Sequence, residues 1–372
     1  STQRKMAKSL LYISPSLEDK NYGGSVVAKS NLEALSRALQ SYSTTALSVN
    51  RNASSDCVKV PTTNNKVGTA LANLCLLCAT LSPKGAYFLI SRIRKEQPEL
   101  IWLDSSLFGI LIPLIRLLSR RSKIICYFHN IETPIIKHYA KRRPSYWISY
   151  LATAANEYLS IKGSDLLIAI QQTDEAILKR RNSSALTCCI PVSIKDGFRK
   201  IQAQLAPRNV DIPYALFVGS DFPPNVEALA YLNFKIAPRL NNKRIIAIGN
   251  GIDKYAHQFK NLDVRGKVDD IADFYTQAQI VVAPIFSGGG MKVKIAEALM
   301  FNKMVLASNF AAVGYEDVPN SVLIRTDDDE TFLNTIQNCD SSTDSKAREY
   351  YLRLFSPYAI QQRIEQAISR IE

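Results

Sequence analysis

Residues 279–299 read Gln279-Ile280-Val281-Val282-Ala283-Pro284-Ile285-Phe286-Ser287-Gly288-Gly289-Gly290-Met291-Lys292-Val293-Lys294-Ile295-Ala296-Glu297-Ala298-Leu299. An apolar strand runs through a glycine-rich turn into a helix. Three glycines let the backbone come close to a ligand, and the free N–H groups at a helix start attract anions. Lys292 and Lys294 add positive charge beside those amides. Glu297 lies about a turn deeper, where a carboxylate suits sugar hydroxyls rather than phosphates. Together these groups suit a sugar nucleotide. The segment is not a P-loop, because no Gly-Lys-Ser/Thr closes it, and the dinucleotide fingerprint G-x-G-x-x-G is missing.

Outward from this stretch, strands and helices alternate. In the C-terminal half, Tyr214–Gly219, Arg244–Gly249, Val264–Val268, Ile280–Ala283 and Met304–Ser308 read as strands that stop near Gly, Pro or Ser. In the N-terminal half, Ser9–Ser14, Ala46–Val49, Leu100–Asp104, Lys123–Phe128 and Asp165–Ile170 are strands. Val26–Leu39, Phe108–Leu118 and Tyr146–Lys162 read as helices between them. Such alternation predicts an α/β protein with a doubly wound, mostly parallel sheet in each half. Ligands then gather at the carboxyl ends of the strands. The polar, proline-bearing run Lys195–Pro213 lacks periodicity and reads as a linker. The expected organisation is residues 1–195, a linker at 196–213, a second domain at 214–354, and a C-terminal helix within 355–372. That helix carries Ile360, Ile364, Ala367 and Ile368 on one face and is a candidate to pack back on the N-terminal domain.

At 372 residues, with 47% hydrophobic and 21% charged residues, the chain has material for two globular domains. The net charge of +13 is uneven: residues 1–190 carry 25 Lys and Arg against 12 Asp and Glu, and residues 191–372 carry 21 of each. An anionic partner is implied for the N-terminal half. No nucleic-acid module is recognisable. An anionic membrane surface fits better, since each basic residue near acidic lipid gains about 1 kcal/mol. The densest cluster holds Lys137, Lys141, Arg142 and Arg143 with Tyr146 and Trp147, and reads either as an interfacial anchor or as a solvated loop and helix start.

The longest uncharged run, Val67–Pro83, is too short to span a bilayer. Leu71, Leu74, Leu77, Cys78 and Leu81 recur at helical spacing, which predicts a packed helix, with shallow membrane insertion as the alternative. The basic start Ser1–Lys8 is followed by no cleavable small-residue site. Seven cysteines argue against a secreted disulfide framework and for a reducing cytoplasm. Cys75-x-x-Cys78 has zinc spacing but no second ligand pair, so no metal site is expected.

Pro284, Gly288, Gly290, Lys292, Lys294, Glu297 and Ala298 match the motif P-x-x-x-G-x-G-x-K-x-K-x-x-E-A. In this the chain resembles the GT-B glycosyltransferases of family 4, the glycosyl transferases group 1. The resemblance implies two Rossmann-like domains facing a central cleft, and a UDP- or GDP-linked sugar held mainly by the C-terminal one. Gly219, Ser220 and Asn225 resemble the first sugar-donor loop, and Gly249 the next strand end. Lys267 and Val268 fall where the family places the base. Glu297 would hold the ribose, and Gly289, Gly290 and Met291 would offer amides to the diphosphate or sugar. Gly23 and Gly24 resemble the N-terminal glycine loop, and His129 the histidine set beside the transferred sugar.

Two departures stand out. The first of the family's two glutamates, eight residues before Glu297, is Gly289 here. The Arg and Lys often found after the first glycine are replaced by Ser220, Asp221 and Phe222. Diphosphate charge would then fall to Lys292 and Lys294, which with His129 are the catalytic candidates.

The implied reaction is retaining transfer to a hydroxyl of a glycan or lipid-linked acceptor. It would serve bacterial cell-surface polysaccharide, lipopolysaccharide or glycolipid synthesis at the inner face of the plasma membrane. No enzyme nucleophile, cofactor or metal is called for. Asp327-Asp328-Asp329 imitates a metal-binding D-x-D but reads better as the acidic cap of a helix near Glu330. Two other readings stay open: a sugar-nucleotide 2-epimerase of the same fold, and a non-catalytic basic adaptor for anionic lipid or nucleic acid.

Overall fold

The structure, a computed structural model, describes residues 8–19, 23–198, 212–340 and 346–372. Its first sheet has seven strands: β1 (Lys8–Ser14), β2 (Tyr42–Ser48), β3 (Val58–Lys59), β4 (Leu100–Leu103), β5 (Lys123–Phe128), β6 (Leu166–Ala169) and β7 (Leu186–Cys189). They pair in the order β3-β2-β1-β4-β5-β6-β7, every neighbour parallel. All four residues of β4 and of β6 are buried, as strands covered on both faces must be.

A second sheet holds β8 (Tyr214–Val218), β9 (Arg244–Ile248), β10 (Asp263–Arg265), β11 (Ile280–Ala283), β12 (Val305–Ala307) and β13 (Leu323–Arg325). Its order is β10-β9-β8-β11-β12-β13, again all parallel. The expected doubly wound α/β architecture is thus present twice. In each sheet the strand order reverses at one point, β1/β4 and β8/β11. The crevice outside the carboxyl ends there is where open α/β sheets bind ligands.

Residues 1–191 with 360–372 form one compact unit, and 192–359 the other. The chain therefore crosses between units at Pro191–Val192, ahead of the expected linker. Residues 194–198 are built into the second unit: the Ile194 N–H donates to Phe355 O at 2.9 Å, and Arg348 Nη2 reaches Asp196 Oδ2 at 2.6 Å. Residues 199–211, most of that linker, lie outside the described residues, as do residues 1–7. At the other end, the Pro357–Ile368 helix buries Ile360, Ile364 and Ile368. Beyond it Arg370 donates to Thr187 O at 3.0 Å, and Tyr42 to Glu372 Oε1 at 2.7 Å.

The apolar run after Val67 does not form one helix. A helix spans Lys66–Leu74, capped by Asn65, whose Oδ1 accepts the Gly68 N–H at 2.8 Å. The backbone then turns left-handed at Leu76 (φ 60°) and Ala79 (φ 55°). Leu77, Cys78 and Leu81 go into the core, while Leu71 and Leu74 stay about 60% exposed. The leucine spacing thus joins two segments that face opposite ways, and Cys75 is exposed where Cys78 is buried. Cys188 and Cys189 lie on β7 and are half-buried.

Candidate functional site

At the carboxyl end of β11 the chain turns through Gly288 (φ +104°) and Gly290 (φ +63°), conformations that suit glycine, and enters the Val293–Met300 helix. Lys292 occupies the N-cap, and no side chain caps the helix start. Among the described residues, the amides of Gly289, Gly290 and Met291 donate to no protein acceptor. Lys292 Nζ folds over the turn, donating to Gly289 O at 3.0 Å and Gly290 O at 2.8 Å. The Tyr315 hydroxyl donates to Lys292 O at 2.8 Å. Lys294 Nζ donates to Asn225 Oδ1 at 2.7 Å and lies 4.6 Å above the Phe217 ring. Asn225 in turn donates to Ser220 O at 2.9 Å, tying the β8 loop to the helix start.

Neither lysine forms an ion pair among the described residues. Burial lowers Lys292 to about 8. Burial and the neighbouring Lys292 charge lower Lys294 to about 7, against the pull of Glu297. Two cations without counter-ions, beside free amides, form a site that an anion would stabilise. Glu297 is raised by burial and held back by the hydrogen bond from Tyr275 and by Lys294. The Tyr275 hydroxyl donates to its Oε2 at 2.7 Å.

Gly219 and Gly249 close the β8 and β9 ends tightly. A Cβ on Gly249 (φ +154°) would lie 2.0 Å from Gly219 O, so the contact requires glycine. The Gly249 N–H donates to Gly266 O at 3.1 Å, which brings in the loop carrying exposed Lys267 and half-buried Val268. Gly219, Ser220, Asn225, Gly249, Met291 and Glu297 thus share one end of one sheet, with Lys267 and Val268 out beyond the edge strand β10. Sequence reasoning missed three members. Tyr275 and Tyr315 come from neighbouring segments with no motif of their own. Lys254, after β9, places Nζ 2.5 Å from Asp221 Oδ2, so the β8 loop has a cation beside it after all.

In the N-terminal unit, Gly23 and Gly24 open the Gly23–Ala38 helix instead of lying in a loop; Asn21 and Tyr22 are outside the described residues. His129 follows β5 directly. Its Nε2 lies 3.3 Å from Oδ2 of Asp104, a fully buried residue at the end of β4, and Ser14 Oγ donates to the same oxygen at 2.8 Å. Burial alone would lower His129, but Asp104 and Glu132 outweigh it and hold the imidazole above its ordinary value. Behind it Tyr12, Trp102 and Tyr127 stack across β1, β4 and β5 at 6.0 Å spacing, and Tyr127 meets the imidazole edge-on at 4.9 Å. Asp104 and this aromatic row carried no separate signal in the sequence.

The basic cluster is elsewhere in that unit. Lys137, Lys141, Arg142, Arg143, Tyr146 and Trp147 are all exposed at the end of the Glu132–Arg142 helix and the start of the Trp147–Gly163 helix. Among the described residues, none of its four cations has an ion-pair partner. The Lys66–Leu74 helix packs beside it, with Asn73 Nδ2 donating to Ser149 Oγ at 2.8 Å. No helix of the described residues is long and apolar enough to cross a membrane. Among them, too, no three His, Cys, Asp or Glu side chains gather to hold a metal ion. Asp328 caps the Asp329–Asn338 helix, accepting the Thr331 N–H at 2.8 Å.

Residues 212–340, spanning β8 to β13, match the sequence model of the glycosyl transferases group 1. Solved structures resemble the chain along nearly its full length. Sucrose-phosphate synthase from Thermosynechococcus elongatus aligns with a TM-score of 0.73 at 17% identity, covering 98% of this chain and 99% of that one. Anabaena HepE in complex with UDP-glucose gives 0.67 at 16%, covering 97% and 99%. The lipopolysaccharide outer core galactosyltransferase WaaB, in its apo form, gives 0.67 at 12%, covering 98% and 100%. No curated protein matches by sequence. The fold is GT-B, the C-terminal unit carries the group 1 domain, and the enzyme class is glycosyltransferase.

Proposed function

We propose that the chain transfers a sugar from a nucleoside-diphosphate donor, UDP-linked in the first instance, to a hydroxyl of a glycan or lipid-linked acceptor, with retention and without a metal. The observation that carries this reading is the pair Lys292 and Lys294, partly desolvated lysines that form no ion pair among the described residues, at a helix start with no side-chain cap. HepE, of similar fold, is described in complex with UDP-glucose and with UDP and glucose, which supports a uridine donor.

In the reaction the bond from the anomeric carbon to the diphosphate oxygen breaks, and charge accumulates on the leaving phosphate. Preorganised groups aimed at that charge contribute most. The acceptor oxygen bonds to the anomeric carbon on the same face, and its proton passes to the departing phosphate oxygen. His129 is the residue of the N-terminal unit assigned to steadying the transferred sugar.

The exposed basic cluster and the neighbouring exposed Leu71 and Leu74 support attachment to the inner face of an anionic membrane, where a lipid-linked acceptor of cell-surface polysaccharide, lipopolysaccharide or glycolipid synthesis would reside. The test is thermal-shift screening against UDP, GDP, ADP and their common sugars, followed by turnover with the stabilising donor. Unchanged turnover in Lys292→Ala and Lys294→Ala would remove the reading. Product formed from the donor with no acceptor present would favour an epimerase instead.

A further inference from the structure

Glu297 is held from behind by a residue that has no place in the motif. Tyr275 sits on the Ile271–Gln277 helix, whose start is capped by Asp270, with Oδ1 accepting the Ala272 N–H at 2.9 Å. Its side chain is fully buried, and its ring stacks on Phe301 at 4.6 Å and 16°, just past the end of the Val293–Met300 helix. So fixed, the hydroxyl has one partner among the described residues, Glu297 Oε2 at 2.7 Å. Among the described residues no protein group donates to the other oxygen, Oε1. One carboxylate oxygen is anchored and the other is left for a ligand.

We propose that Tyr275 is a positioning residue for recognition of the nucleotide ribose, acting through Glu297. This rests on the reading of Glu297 as the group that accepts the ribose hydroxyls. A glutamate has three side-chain torsions, and immobilising it before the ligand arrives removes an entropic cost from binding. The same hydrogen bond favours the ionised form, the one able to accept from two hydroxyls. Burial keeps the Tyr275 phenol well above its ordinary value, so it remains a hydrogen-bond donor throughout the working range.

The experiment compares the binding of UDP, GDP and ADP with that of their 2′,3′-dideoxy counterparts, by calorimetry, in wild type, Tyr275→Phe, Glu297→Gln and the double variant. The phenylalanine keeps the stacked ring and removes only the hydroxyl. Tyr275→Phe is expected to weaken the preferred ribonucleotide about tenfold while leaving its dideoxy analogue nearly unchanged, the size of one hydrogen bond to a charged group. It should also move the acid limb of ribonucleotide binding to higher pH. The double variant should lose no more than Glu297→Gln alone, as for residues acting through one another.

Equal weakening of both nucleotides by Tyr275→Phe, with the pH profile unmoved, overturns the proposal and leaves a packing role. If Tyr275→Phe does not fold, a Glu297→Gln variant that still discriminates ribose also overturns it. Wild type that binds none of the three nucleotides fails the proposed function itself, a result distinct from either.

Discussion

The two sheets share a strand order and treat charge in opposite ways. The N-terminal unit carries the whole excess of positive charge, much of it exposed around Lys137–Arg143, yet at the strand ends its histidine lies 3.3 Å from a buried aspartate. Residues 191–372 are electrically balanced, but at the end of β11 two lysines form no ion pair among the described residues. Net charge therefore does not mark the candidate site. On the reading proposed above, unpaired and partly desolvated charge marks it, because there an incoming anion can replace what solvent no longer supplies.

Removing Lys294 breaks the contrast where it is strongest. Lys294→Ala is expected to lower kcat/KM for the sugar nucleotide by about 100-fold to 1,000-fold, the cost of losing one preorganised group at a developing charge. Lys294→Arg should restore little, because the planar guanidinium does not fit the point between Asn225 Oδ1 and the Phe217 face. Steady-state kinetics decide it. Next in size, His129→Ala should lower kcat by about 100-fold, with the UDP dissociation constant nearly unchanged. Were His129→Ala to abolish UDP binding and Lys294→Ala to spare it, the assignment of the two strand ends would be reversed.

A third, smaller effect separates the sites by pH. Lys294 near 7 and Lys292 near 8 lose their protons between pH 6.5 and 8.5 in the free protein, and the cationic forms are those that bind. Affinity for UDP-glucose, whose diphosphate does not itself titrate in this range, should fall by about tenfold or more as pH rises across that window. Binding near pH 7.5 should take up a proton, visible as a calorimetric enthalpy that varies with the buffer. Lys294→Met should erase the lower of the two steps. A flat profile would mean that the lysines stay charged without a ligand.

What the sequence made legible here is local. The strand, turn and helix of 280–300 stand where hydrophobic pattern and glycine placed them, and Lys292, Lys294 and Glu297 lie on them as read. Asp328 caps its helix as the acidic run suggested. What stayed hidden comes from other parts of the chain. Tyr275, Tyr315 and Lys254 reach the site from segments without motifs, and only the β8/β11 neighbourhood brings them in. The resemblance puts Gly23 and Gly24 in a glycine loop, yet they open a helix, where the low helix propensity of glycine costs little. At Leu76 and Ala79, non-glycine residues adopt left-handed backbone with no mark in the sequence, so an apolar spacing continued on paper across a break in the helix. Strands as short as β3 and β13 have too few residues to show a period.

The smallest predicted effect concerns the excess charge itself. Each basic residue near an anionic bilayer contributes about 1 kcal/mol, so Arg142→Ala should weaken binding to phosphatidylglycerol-containing vesicles about fivefold. Raising the salt should shrink that difference, since exposed charges are screened over about 8 Å at physiological ionic strength. Trp147→Ala should remove a component that salt does not touch, because burying the indole face is not electrostatic. Neither change should alter UDP-glucose binding, as both residues lie in the N-terminal unit on exposed helix ends away from the β5 strand end. Vesicle sedimentation at low and high salt, beside calorimetry with UDP-glucose, measures both. An Arg142→Ala variant that lost sugar-nucleotide affinity in proportion to vesicle affinity would show that the surface charge serves the substrate, and the division between spread and unpaired charge would no longer hold.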